Sequence, residues 1–176
     1  MGHKLPFVVV TKPTGAACNL DCSYCFFLSK ELLYPGSKQR MGDDQLEQYV
    51  RTYLAEQPDG PVTFVWQGGE PTLMGLEFFR RAVALAASHR RPAQDVSHSL
   101  QTNGVLINDQ WAQFFVENDF LVGLSIDGPK DIHDSFRVNK AGRGTFDQVV
   151  RGWRCLQRHG VKTNILCTVH AANEHR

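Results

Sequence analysis

Short apolar runs alternate along the chain with longer segments in which apolar side chains recur at helical spacing. Five runs rich in β-branched and aromatic residues predict strands at residues 7–10, 62–66, 97–102, 120–126 and 162–169. Four segments between them predict helices at residues 44–57, 76–89, 108–118 and 145–160. Strict alternation with connections of this length predicts a parallel sheet with right-handed crossovers. We therefore expect an α/β fold.

The polar motifs of the chain follow these predicted strands. The stretch "CNLDCSYC" follows the first strand, "QGGEP" the second, "QTNG" ends the third and "SIDGP" ends the fourth. An open doubly wound sheet and a barrel both fit the pattern, and in both folds ligands bind at the carboxyl ends of the strands. All four motifs are thus predicted to meet at one edge of the sheet.

Composition and charge narrow the classes of partner. A chain of 176 residues with 42% hydrophobic and 21% charged residues is long enough for one domain, which we assign to residues 1–176. The net charge of +1 offers no basic field for nucleic acid, so no nucleic-acid partner is expected. The N-terminus lacks a signal-peptide pattern and no apolar stretch approaches bilayer length, so we expect no membrane association and a cytoplasmic location.

The chain has five cysteines, and three of them lie close together at the spacing C-x3-C-x2-C, namely Cys18, Cys22 and Cys25. An odd cysteine count without an export signal argues against a disulfide framework. A structural zinc site is the alternative, but it needs a fourth ligand close by, and Cys155 and Cys167 lie in apolar segments where burial is expected. An iron–sulfur cluster held by three cysteines would keep one iron open for a ligand.

The "GGEP" motif has residues suited to a close ligand. Gly68 and Gly69 allow the backbone to approach a ligand or to adopt a positive φ angle. Glu70 is an anionic acceptor that suits an amino group. A simple turn is the alternative for this motif.

Three residues at or beyond the end of the fourth strand could bind the same ligand as Glu70. Ser125 and Asp127 offer a hydroxyl and a carboxylate, and Arg137 can bind a ligand carboxylate with two hydrogen bonds. Loop hydrogen bonds and a solvated arginine are the alternatives. Together with Glu70, these groups suit the amino-acid end of a ligand.

The motifs resemble those of the radical S-adenosylmethionine (SAM) enzymes. Within that superfamily "CNLDCSYCFFL", "WQGGEPTLMG", "QTNG" and "SIDGPKDIHDSFRVNKAGRGTFDQVVRG" are similar to the anaerobic sulfatase-maturating enzymes, and the likeness runs from residue 13 to about residue 169. The resemblance implies a partial (β/α)6 barrel, of which about five strands and four helices are present. It also implies a [4Fe–4S] cluster on Cys18, Cys22 and Cys25, with SAM bound to the open iron.

The activity implied is oxidation of a sulfatase Cys or Ser to Cα-formylglycine through a 5′-deoxyadenosyl radical, with flavodoxin or ferredoxin as electron donor. By motif position the resemblance assigns SAM contacts to Tyr24, Gly69, Glu70, Ser125 and Arg137, and substrate contacts to Gln67 and Gln101.

The sequence departs from the family pattern in two respects. Phe27 stands where relatives often have a tyrosine, so a hydroxyl contact is missing there. The general base and the auxiliary-cluster domain of the family are expected beyond residue 176, so no catalytic residue is assigned and the chain is expected to be a fragment. Another radical SAM peptide maturase, such as a thioether-forming one, and an inactive iron–sulfur or SAM-binding module are the alternative functions.

Overall fold

One parallel sheet, ordered as in the sequence, organises the residues described by the computed structural model, which are 5–33 and 40–175. Its strands are β1 (Val10–Thr11), β2 (Gly60–Trp66), β3 (Gln94–Thr102), β4 (Leu121–Ser125) and β5 (Lys162–Leu166). The helices are α1 (Asp43–Glu56), α2 (Leu76–His89), α3 (Asp109–Glu117), α4 (Lys130–Phe136) and α5 (Phe146–Arg158). Two short 3-10 helices cover Leu28–Leu33 and Pro71–Met74.

The strand order distinguishes between the two folds that the sequence left open. A doubly wound sheet reverses its strand order at a switch point, whereas each described strand here pairs with the one before it in sequence. Because every crossover advances in the same direction, the helices pack on one face of the sheet. The fold is therefore α/β with the winding of a partial barrel.

The hydrophobic core lies between that face of the sheet and the helices. Alternate side chains of β2, such as Phe64 and Trp66, are completely buried. Phe64 packs edge-on against Tyr53 of α1 at 5.0 Å between ring centroids, and Trp66 packs edge-on against Phe79 of α2 at 5.6 Å. Each such side chain contributes about 1.5–3 kcal/mol through removal from water. This layer fixes the edge of the sheet on which the polar motifs lie.

Several ends of strands and helices shift by one to three residues from the prediction, and two regions differ in structure. The predicted strand at residues 7–10 reduces to Val10–Thr11, because the Phe7 carbonyl accepts a 3.1 Å hydrogen bond from Tyr53 Oη of α1 instead of joining the ladder. The segment after β4 was expected to be a loop, and it contains α4, whose residues Ile132 and His133 are buried.

Two further predictions concern the N-terminus and membrane association. The prediction that the N-terminus lacks a signal peptide rests in part on residues 1–4, which lie outside the described residues. No helix in the described ranges has both the length and the apolar character needed to cross a bilayer.

Candidate functional site

The cysteine loop, defined as residues 16–25, lies across the carboxyl edge of the sheet. Cys18, Cys22 and Cys25 are free and partly buried. A turn brings the last two together, with the Cys25 amide donating to the Cys22 carbonyl at 3.0 Å. The Leu20 amide donates to Cys18 Sγ at 3.4 Å, an interaction that stabilises sulfur carrying negative charge.

The thiols influence one another without converging on a single point. Burial raises the pKa of Cys22 to about 11, with Arg137 acting against this shift and the other two thiols adding to it. Burial also raises the pKa of Cys18. Among the described residues, the three cysteines are not a group with sulfur atoms all within 4.8 Å of one another. Ligands of one tetrahedral zinc ion lie about 3.8 Å apart, so this wider spread suits a polynuclear cluster better.

The "GGEP" motif contacts the cysteine loop directly. The Gly69 amide donates to the Gly15 carbonyl and the Glu70 amide donates to the Ala17 carbonyl, both at 2.9 Å. A Cβ atom at Gly69 would lie 2.0 Å from the Ala17 oxygen. Gly68 has φ of 128°, and a Cβ atom there would lie 3.0 Å from the Gly15 oxygen. These glycines therefore permit the approach of another chain segment, and they position the residues immediately before Cys18.

Glu70 is fully buried and is held by donors from the chain itself. Its Oε1 accepts hydrogen bonds from Thr72 N, Thr72 Oγ1 and Thr102 Oγ1 at 3.0, 2.7 and 2.8 Å. Its Oε2 accepts one from Asn103 N at 2.7 Å. Burial raises the pKa of Glu70 while these donors lower it, and burial has the larger effect. One acceptor position on Oε2 remains after these bonds, so the predicted contact with a ligand amino group stays a prediction.

Asp127 and Arg137 form a buried ion pair at the ends of β4 and α4. Arg137 donates to Asp127 through Nε at 2.8 Å and through Nη2 at 2.9 Å. Tyr24 Oη donates to Asp127 Oδ2, and the Thr168 amide donates to Oδ1 at 3.0 Å. Burial opposes the charge on Asp127, but donation from Arg137 and Tyr24 outweighs it and holds the pKa of the carboxyl below its usual value.

This network gives Asp127 a positioning role. All acceptor positions of its carboxylate are occupied by Arg137, Tyr24 and Thr168, so it orients Arg137 and Tyr24. The remaining donors of Arg137 and the face of Tyr24 are the groups left for a ligand. Burial, followed by donation to Asp127, raises the pKa of Tyr24, so Tyr24 remains a neutral donor.

The predicted substrate residues lie on two neighbouring strand ends. Gln101 Nε2 donates to Ser125 Oγ at 3.0 Å. The side chain of Gln101 passes over Gly123, where a Cβ atom would lie 2.1 Å from Gln101 Oε1. Gln67 follows β2, and its amide donates to the Thr11 carbonyl at 2.8 Å. The substrate contacts of Gln67 and Gln101 stay predictions.

Two residues of the site were not predicted to bind there. Asn103 Nδ2 donates to Asn19 Oδ1 at 2.8 Å and lies 3.8 Å from Cys18 Sγ, so it ties the cysteine loop to the end of β3. His133 accepts from the Asp127 amide through Nδ1 at 3.4 Å and pairs through Nε2 with Thr145 Oγ1 at 3.2 Å. The position of Asn103 within "QTNG" was a usable signal. The burial of His133 was not visible without α4.

The other two cysteines, Cys155 and Cys167, differ in their exposure to solvent. Cys155 is buried, as expected, whereas Cys167 is exposed and the prediction of its burial was wrong. Cys167 directly follows β5, a mostly exposed strand at the edge of the described sheet.

Comparison with known proteins places this geometry in a family. The radical SAM superfamily profile matches residues 13–175. The chain belongs to the radical SAM superfamily. The [4Fe–4S] cluster and SAM are the characteristic cofactors of these proteins, and the donor set of the cysteine loop fits such a cluster.

Several radical SAM relatives are similar over nearly the whole chain. A serine-type anaerobic sulfatase-maturating enzyme of Klebsiella aerogenes is 45% identical over 168 residues, which are 94% of this chain and 40% of that protein. A cysteine-type enzyme of Clostridium perfringens (strain 13 / Type A) is 44% identical over 93% of this chain and 44% of that protein. This chain therefore spans less than half the length of these relatives.

Solved structures of radical SAM relatives share the fold. One, of hexahistidine-tagged anSMEcpe with bound AdoMet (SAM), superposes with a TM-score of 0.85 at 44% identity, covering 93% of this chain and 43% of that one. Another, with AdoMet and a peptide named Cp18Cys, has a TM-score of 0.83 at 42% identity, with the same coverage of both chains. The predicted fold and family are thereby confirmed.

Proposed function

We propose that this chain is the cluster- and SAM-binding core of an anaerobic sulfatase-maturating enzyme, an oxidoreductase that converts a sulfatase Cys or Ser to Cα-formylglycine. The observation that carries the proposal is the cysteine loop at the carboxyl edge of a partial barrel, where Cys22 interacts electrostatically with the Asp127–Arg137 ion pair. When bound, the cluster and SAM supply the hydrogen-abstracting chemistry.

The residues of the chain bind and orient the groups that react. Cys18, Cys22 and Cys25 would hold the cluster. Glu70 fixes the end of β3 and, through Asn103, the start of the cysteine loop. These contacts would hold the cysteine loop in place for the cluster.

A second group of residues would bind SAM. Arg137 lies within a buried pair, so it is fixed in one orientation before a ligand arrives. Tyr24 lies beside it, with the Arg137 guanidinium carbon 5.5 Å from the Tyr24 ring centroid. Such a preorganised cation suits the carboxylate of SAM, and Ser125 extends the same surface toward the ligand.

A peptide substrate would lie over β3 and β4, where Gln101 and Ser125 meet. An amide side chain can pair with both the donor and the acceptor of a peptide backbone, which suits recognition of an extended chain. The substrate itself is proposed from the relatives, which are named as sulfatase-maturating enzymes of both the serine and the cysteine type.

The proposed electron donor is a flavodoxin or ferredoxin, because reductive cleavage of SAM needs an electron from outside the site. A cytoplasmic location follows from the same chemistry, since free cysteines and an oxygen-sensitive cluster require a reducing compartment. Comparing dithionite with reduced flavodoxin as the electron source tests the donor separately from the site.

The decisive test is anaerobic reconstitution with iron and sulfide, followed by addition of SAM and dithionite. We expect about four irons per chain and 5′-deoxyadenosine that is absent in Cys22→Ala. Cys167→Ser is the matched control, because Cys167 is exposed and distant in sequence from the cysteine loop. A cluster that forms without SAM cleavage would contradict the enzymatic proposal and support a binding module.

Formation of Cα-formylglycine is tested by mass spectrometry on a short sulfatase peptide carrying Cys or Ser. A mass loss expected for the aldehyde identifies sulfatase maturation. A thioether cross-link in the same peptide would instead identify the other class of maturase.

A further inference from the structure

A second group of metal-binding side chains lies in the helix layer, apart from the cysteine loop. It consists of Asp109 at the start of α3 and of Cys155 and His159 at the end of α5. One ligand atom from each residue lies within 4.8 Å of the other two. In the described part of the chain, no other three His, Cys, Asp or Glu residues have ligand atoms this close together.

The distances in this group are hydrogen-bond distances, slightly shorter than those between the ligands of one small cation. Cys155 Sγ lies 3.3 Å from Asp109 Oδ1, and His159 Nε2 lies 3.0 Å from the same oxygen. Bonds of 2.0–2.3 Å to a tetrahedral zinc ion place its ligands about 3.3–3.8 Å apart. Small side-chain rotations would therefore suffice to surround an ion.

Local structure brings the three residues together. Cys155 and His159 are four residues apart, so they project from the same side of α5. Gly152, one turn earlier, lets the helix approach the segment that leads into α3, because a Cβ atom there would lie 2.3 Å from the Gly104 carbonyl oxygen. Asp109 is the first residue of α3, which fixes its backbone.

The three side chains differ in their exposure to solvent. Cys155 is buried, whereas the Asp109 and His159 side chains are 73% and 32% exposed. A cation would thus have a buried thiolate on one side and access to water on the other. Three protein ligands and one water complete a tetrahedron.

One competing group lies at the site. Arg158 Nη2 lies 3.4 Å from Asp109 Oδ1, and its side chain is 64% exposed. An exposed pair of this kind contributes little stability, about 0–1 kcal/mol, so Arg158 can move into solvent when a cation binds.

We propose that Asp109, Cys155 and His159 bind a divalent zinc-like cation that links α3 to α5. Thiolate and imidazole favour borderline and soft cations, whereas Mg²⁺ and Ca²⁺ prefer oxygen ligands. On binding, the Cys155 S–H bond breaks, its proton passes to solvent and a sulfur–metal bond forms, with no change in oxidation state. The proposal is independent of the function proposed for the cysteine loop.

The test uses the reconstituted protein with its cluster in place and Co²⁺ as the spectroscopic probe, followed by displacement with Zn²⁺. We expect one Co²⁺ per chain, with the ligand-field spectrum of a tetrahedral site and sulfur-to-metal charge transfer. Cys155→Ser and His159→Gln should each weaken binding by more than about 10-fold. His159→Gln also guards against misfolding of a core variant, because His159 lies at the helix end.

Cys167→Ser is the matched control and should bind Co²⁺ like the parent protein. Equal affinity of parent and Cys155→Ser, or binding without charge-transfer absorption, would overturn the proposal. Binding that requires millimolar Co²⁺ would show an adventitious ion only and would also overturn it.

Discussion

Gly69 shows how a single missing side chain can determine the position of the cysteine loop. A Cβ atom there would meet backbone atoms of Ala16 and Ala17 at 2.0–2.5 Å, and backbone cannot rotate away as a side chain can. We predict that Gly69→Ala displaces the loop, lowers the free energy of unfolding by about 1–3 kcal/mol and reduces iron incorporation. Iron analysis and chemical denaturation measure both effects.

Gly42→Ala is the control for this variant, because its Cβ atom would have Gln45 Oε1 at 3.7 Å as its nearest neighbour. That is an ordinary contact. Full iron incorporation in Gly69→Ala would show that the loop tolerates the shift.

The buried Asp127–Arg137 pair leads to a second prediction, which concerns the stability of the fold. Asp127→Asn removes the charge that compensates a buried guanidinium, which costs about 3–5 kcal/mol in unfolding free energy. Asp119→Asn is the matched control, since Asp119 pairs with Lys162 at the surface and its loss should cost less than about 1 kcal/mol. Equal losses in the two variants would contradict the assignment of a buried pair.

At the scale of elements, the pairing of β3 with β4 positions the predicted substrate residue. Gln101 and Gly123 are register partners, and the absence of a side chain at Gly123 leaves room for Gln101 to reach Ser125. We predict that Gly123→Ala turns Gln101 away and raises the KM for a peptide substrate about 3- to 10-fold, the effect of one lost hydrogen bond. Deoxyadenosine formation without peptide should be unchanged, and its loss would indicate a wider disturbance.

Elements with strong periodic patterns were predictable from sequence, and those governed by tertiary contacts were not. The helix predicted at residues 76–89 is α2 as observed. Thr145 and Gln148 stand at capping-box positions in the sequence, but no such box forms, because the Thr145 hydroxyl donates to the Arg137 carbonyl at 2.8 Å and pairs with His133. The short α4 was missed because seven residues after a proline offer too little periodicity. Likewise, the motifs predicted where the site lies, but not that Asp127 would be saturated by Arg137 and Tyr24.

At the scale of the whole molecule, the core contains a histidine that makes stability depend on pH. His98 is stacked between Phe64 and Phe120 at 5.3 and 4.9 Å, and burial lowers its pKa to about 4 from 6.5. The unfolded chain therefore takes up the proton first as pH falls. Stability should decrease between pH 6.5 and 4 by about 3 kcal/mol from this group and should not change further below that range.

His98→Phe isolates this contribution, because the variant retains every other titratable group of the chain. Its unfolding free energy, measured by denaturation at several pH values, should vary less between pH 6.5 and 4 than that of the parent. Identical pH profiles would show that His98 is not the group responsible. The variant also removes the acceptor of Trp66 Nε1, a 3.4 Å contact, which lowers stability equally at all pH values.

The two attachments of the cysteine loop set an order for its assembly during synthesis. Its first part is held by Gly69, Glu70 and Asn103, whereas Asp21 and Ser23 bond to carbonyls of residues 138 and 136. Because each strand pairs with the strand before it, a nascent chain can acquire structure from its N-terminus onward. A ribosome-bound chain that has not yet exposed residue 139 would lack both bonds that hold the loop around Cys22, so stable cluster insertion follows the synthesis of α4.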